Sequence, residues 1–70
     1  MFSNREALRS YRGDKLRLAR LAQGFSLEEL GELLAVTRQN VHKMEAGQEP
    51  TEEQLPILCK HLDVKKRIFL

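Results

Sequence analysis

The stretch Ser26–Gly47, SLEELGELLAVTRQNVHKMEAG, decides how the chain is read. Ser26 followed by Glu29 has capping-box spacing, a pattern that satisfies two free amides at a helix start. Leu27, Leu30, Gly31 and Leu34 then recur at the helical period and share one face. Thr37 offers a second N-cap and Gly47 a second stop. Two short helices are therefore expected, joined by a tight turn. A mid-helix glycine costs about 1 kcal/mol against alanine, so Gly31 implies close approach of the second helix, with Val36 plugging the space between the two. In that second helix Val41 and Met44 point inward. Arg38, Gln39, His42 and Lys43 then lie on the opposite face, with Asn40 at the edge.

Working outward, the chain reads as a compact all-α bundle of about five short helices, because apolar residues follow the helical period and no run alternates as a strand would. A first helix is expected from Asn4 to Arg12, with Ser3 and Glu6 at capping-box spacing and Gly13 as its stop. A second runs from Asp14, which would accept first-turn amides, to Gln23, ahead of Gly24. A helix follows Thr51 and runs to Leu62. Its Pro56 sits deep enough to predict an irregular start. A last turn, Lys65–Phe69, is expected to lay Ile68 or Phe69 on the core. The second helix is two-sided: Leu16 and Ala19 face one way, Leu18 and Leu21 nearly the other. That surplus needs a cover, either Leu8 and Tyr11 of the first helix, a second protomer or another domain. Leu33, out of phase with its helix, poses the same question. Residues 1–13 read as an N-terminal helical arm and 14–70 as the domain.

Seventy residues are enough for one marginal domain. A single cysteine, Cys59, excludes an intrachain disulfide and suits a reducing cytoplasm. No apolar run is long enough to span a membrane, and the charged N-terminus is no secretory signal. The net charge of +2 is modest, but it is arranged in blocks. Residues 1–25 carry six bases against two acids, residues 26–35 three acids and no base, and the tail from Lys60 to Arg67 is +3. Separate basic and acidic surfaces suit a nucleic-acid binder.

From Leu16 to Val64 the chain resembles the lambda repressor/Cro (XRE-type) helix-turn-helix family. The residues that carry the likeness are Leu16, Arg20, Gly24, Ser26, Glu29, Leu30, Leu34, Val36, Thr37, Val41, Glu45 and Gly47, then Leu55, Leu58, Leu62 and Val64. The resemblance implies a recognition helix, Arg38–Ala46, lying in the DNA major groove. Arg38, Gln39, Asn40 and Lys43 would then contact bases, since Arg or Lys pairs with guanine and Gln or Asn with adenine. Lys15, Arg17, Ser26, Thr37, His42, Gly47 and Gln48 would contact the backbone. Arg20 and Glu45 would form an internal ion pair. The expected function is sequence-specific double-stranded DNA binding by a transcriptional regulator, most simply a repressor, acting as a homodimer on two half-sites. Val64–Leu70 is the segment expected to help dimerise.

The chain departs from the family pattern at four places. Leu27 stands where a glutamine is common, Ala35 where the turn usually has glycine, Met44 in place of an aromatic or branched residue, and Ala46 before Gly47 in place of asparagine. Two other functions find less support in the sequence. No nucleophile–base arrangement supports an enzyme. His42 and Glu45 offer half a metal site that Cys59 and His61 do not close, so neither metal nor cofactor is expected. The stronger rival is a protein-interaction module on the same fold, for which Leu18, Leu21 and Leu33 would speak. The chain also resembles N-terminal segments that precede separate sensor domains in longer regulators.

Overall fold

The computed structural model describes residues 11–69. They form α1 (Gly13–Ala22), α2 (Leu27–Leu34), α3 (Arg38–Glu45) and α4 (Gln54–Leu62), then a 3-10 helix at Lys66–Phe69, with no strand among the described residues. The all-helical class holds, but the α-helices number four here rather than about five. Of the helix expected over Asn4–Arg12, only Tyr11 and Arg12 fall within the described residues, and neither is helical. Leu8 lies outside them.

The start of α1 corrects two expectations. Asp14 does not cap it: the N-cap is Arg12, extended and without a side-chain bond to the free amides of the first turn. Asp14 pairs instead with Arg12, at 2.9 Å from Nη2 to Oδ2 and 3.1 Å from Nε to Oδ1. Hydrogen bonding to that guanidinium holds its carboxyl below the usual carboxylate range. Gly13 does not stop a helix but opens one. A Cβ at Gly13 would lie 2.5 Å from the Glu45 carbonyl oxygen and 2.6 Å from that of Met44. The missing side chain is what lets α1 sit against the end of α3.

α2 begins as its sequence dictates. Ser26 Oγ accepts the Glu29 amide at 3.0 Å, and Glu29 Oε1 accepts the Ser26 amide at 2.8 Å. A cap of this kind contributes about 1 kcal/mol. α2 ends at Ala35, which is left-handed at φ 60°, ψ 40°. For a residue with a Cβ this conformation costs about 1–2 kcal/mol. A Cβ on Gly31 would stand 2.7 Å from the Val36 carbonyl oxygen and 3.3 Å from backbone atoms of Thr37. The close approach is thus made by the turn itself, not by the body of the second helix. Thr37 Oγ1 then accepts the Asn40 amide at 3.2 Å and starts α3.

The irregular entry to α4 is present. Thr51 and Gln54 bond reciprocally, Gln54 N to Thr51 Oγ1 at 3.1 Å and Thr51 N to Gln54 Oε1 at 3.0 Å. The helix proper begins at Gln54, so Pro56 is its third residue and falls in the first turn, where amides lack helical partners anyway.

One core joins all the elements: Leu16 from α1, Leu30 and Leu34 from α2, Val41 and Met44 from α3, Leu58 and Leu62 from α4, and Phe69 from the 3-10 helix. Phe69, not Ile68, is the last-turn residue that enters it, and Ile68 is exposed. Leu33 packs half-buried against the core and so needs no separate partner. Leu18 and Leu21 do stay exposed on α1. Tyr11 donates its hydroxyl to the Met44 carbonyl at 2.9 Å, and the Arg12 amide donates to the Phe69 carbonyl at 2.7 Å. Both ends of the described chain therefore meet beside the C-terminus of α3. Among the described residues no helix is long and apolar enough to cross a membrane.

Candidate nucleic-acid interface

α3 is held on three sides, which fixes the face it shows to solvent. Val41 and Met44 are fully buried beneath it. α2 crosses it over the left-handed turn, and α1 packs Gly13, Leu16 and Arg20 toward it. Arg20 and Glu45 lock the crossing of α1 and α3. Arg20 Nε lies 2.5 Å from Glu45 Oε2, Nη2 lies 3.2 Å from Oε1, and Nη1 donates to the Phe25 carbonyl at 2.8 Å. The two side chains are only 9% and 5% exposed. This geometry is bidentate, the strongest form of a carboxylate–guanidinium contact.

The outer face of α3 carries Arg38, Gln39, His42 and Lys43, all exposed, with Asn40 half-buried at its edge. Arg38 also lies 3.9 Å from Glu28 of α2, an exposed pair of little energetic weight. Leu27, the first residue of α2, lines a groove together with Arg38, Gln39, His42 and Lys43.

The residues expected at the phosphate backbone are more scattered. Thr37 and Ser26 both use their oxygens as cap acceptors, which leaves each hydroxyl proton free to donate. The Ser26 amide is taken by Glu29, and the flanking Glu28 and Glu29 disfavour an anion there. Gly47 sits at φ 129°, a conformation that suits glycine. Its amide goes to Met44 O at 3.2 Å and the Gln48 amide to Lys43 O at 2.9 Å, so only the Gln48 side chain is free to reach a phosphate. Half-buried Lys15 and exposed Arg17 flank the inward stripe of α1, one on either side.

A helix-turn-helix domain family model matches residues 13–67. The chain belongs to the helix-turn-helix domain family. The likeness read from Leu16 to Val64 is thereby borne out. Among solved structures, the chain is similar to the crystal structure of the restriction-modification controller protein C.AhdI from Aeromonas hydrophila. The two are 29% identical, the match covers 93% of this chain and 98% of that one, and the TM-score is 0.72. No curated protein sequence matches the chain.

Sequence reasoning about this helix-turn-helix domain missed three contacts at the site. One is Gly13 under the end of α3, whose only signal was a glycine next to an acidic residue, equally readable as a helix stop. The second is Tyr11, whose hydroxyl holds the Met44 carbonyl. Burial, then repulsion from Glu45 and Glu49, pushes that hydroxyl up to about 12. The third is the place of Leu27 among the polar side chains of α3, although its departure from the family pattern marked it.

Proposed function

We propose that this domain binds double-stranded DNA sequence-specifically and regulates transcription, with α3 lying in the major groove. The observation that carries the reading is the split of α3. Val41 and Met44 anchor it, while Arg38, Gln39, His42 and Lys43 are exposed on its outer side. Those groups match base edges: Arg38 or Lys43 with guanine O6 and N7, Gln39 or Asn40 with adenine N6 and N7. Arg38 and Gln39 open the helix, the end that touches bases in this motif. Thr37, His42, Gln48 and the basic residues Lys15 and Arg17 supply phosphate contacts. Each neutralised phosphate steepens the dependence of log K on log salt by about 0.9. The controller protein with the same fold supports a regulatory role. Repression needs only occupancy of the DNA, and a reporter assay reads its sense.

The domain acts as a homodimer on half-sites about one helical turn apart. With Phe69 buried in its own core, the part of Val64–Leu70 left for that contact is centred on exposed Ile68. A further protein partner or sensor domain is the second reading, favoured by Leu18 and Leu21, which are 56% and 49% exposed. Selection of sites from random duplex tests the proposal. A palindromic motif should emerge, and Arg38→Ala should relax it at one position per half-site. An unchanged motif overturns the contact assignment, and no salt-dependent binding overturns the DNA reading. A monomer in sedimentation, both free and on DNA, removes the dimer.

A further inference from the structure

We propose that Leu27 reads the C5-methyl group of a thymine in the bound site, an inference that rests on the DNA reading above. Four of the five side chains that line the groove between the start of α2 and the outer face of α3 are polar: Arg38, Gln39, His42 and Lys43. Leu27 is the fifth, and it is apolar. It is held there rigidly. The Ser26–Glu29 box fixes it as the first residue of α2, and part of its side chain packs on the core. The remainder faces the groove.

The charge around it selects the occupant. Arg38 and Lys43 line this groove with Leu27 and no acidic side chain does, whereas Glu28 lies on the other side of Leu27, 3.9 Å from Arg38. The groove side therefore favours an anionic partner, which argues for a duplex over an apolar protein surface. Seen from the major groove, base edges present donors and acceptors with one apolar exception, the C5-methyl of thymine. A leucine among hydrogen-bonding side chains complements that group, whereas a donor or acceptor beside it would be desolvated without a partner. Leu27 therefore adds a sequence preference that α3 alone does not supply. It sits on the helix that otherwise only crosses the DNA backbone.

The test alters the DNA rather than the protein. In the duplex recovered by site selection, each thymine is replaced singly by deoxyuridine, which removes only the methyl. The full chain should bind about fourfold more weakly at one such position per half-site, the worth of one buried methyl-sized contact. Leu27→Ala should bind the thymine and deoxyuridine duplexes equally at that position and keep the discriminations due to Arg38 and Gln39. Circular dichroism shows whether this variant is folded. If it is not, Leu27→Met, which keeps an apolar side chain of similar volume, should retain the thymine preference while Leu27→Gln loses it. Sequence-specific binding indifferent to every deoxyuridine overturns the role of Leu27 and leaves the DNA reading standing. So does thymine discrimination that survives in Leu27→Ala. Absence of binding to any duplex overturns both.

Discussion

Replacing Glu45 with alanine should come close to unfolding the domain without touching the polar outer face of α3. The carboxylate accepts two bonds from Arg20, at 2.5 and 3.2 Å, in a pair whose side chains are 9% and 5% exposed. Its loss leaves the guanidinium buried with the Phe25 carbonyl, 2.8 Å away, as its remaining bonded partner. Breaking one side of a buried pair costs about 3–5 kcal/mol, more than the intact pair contributes, because the orphaned charge is not rehydrated. A 70-residue domain has a total stability of only roughly 4–10 kcal/mol. Thermal melting followed by circular dichroism should therefore fall by on the order of 20 °C. The double variant Arg20→Ala/Glu45→Ala should be less destabilised than the sum of the single changes, because it leaves no unpaired charge. DNA affinity measured well below each melting point should change little. The reasoning is refuted if Glu45→Ala loses less than about 1 kcal/mol while Arg20 is retained.

Ala35→Gly should raise stability by about 1 kcal/mol in urea titration, since relief of the left-handed strain exceeds the extra unfolded-state entropy of glycine. Gly13→Ala should lose about 1–3 kcal/mol despite its better helix propensity, because the new methyl meets backbone oxygens that cannot rotate away; equal or higher melting would refute that close approach. Tyr11 is the only tyrosine, so its phenolate absorbance can be followed alone. It should titrate at about 12 in the folded protein against the ordinary 10.0. Because its folded value is raised, the Tyr11 contribution is complete below pH 10.0 and is lost as pH climbs toward about 12. Tyr11→Phe should flatten that part of the stability curve.

The fold was legible wherever a local rule had one competent answer. The Ser26–Glu29 box, the Thr37 cap and the period of Leu30, Leu34, Val41 and Met44 each point to a single local structure, and the structure adopts it. Legibility failed where a residue type serves two ends. Glycine suits both a helix stop and a close approach, and Gly13 serves the second. Asp14 is an N-cap residue by type, but the helix starts one residue before it and its carboxylate bonds Arg12 instead. Pro56 is tolerated because the helix begins late, which only the Thr51–Gln54 bonds reveal. At the candidate interface, helical phase alone separates the anchored from the free side of α3. It says nothing of Leu27, which belongs to a different helix and joins that surface only through the crossing.

The bond from the Arg12 amide to the Phe69 carbonyl spans nearly the whole described chain. Contacts of such sequence separation form late, after the loop entropy between their ends has been overcome. On the ribosome, α2 and α3 with their Ser26 and Thr37 caps emerge well before Phe69 does. Until that residue clears the exit tunnel, the Tyr11–Gly13 clasp on the C-terminus of α3 has no closing partner. The nascent chain thus carries the polar outer face of α3 before it can hold that helix rigidly, and maturation of the domain waits on Phe69.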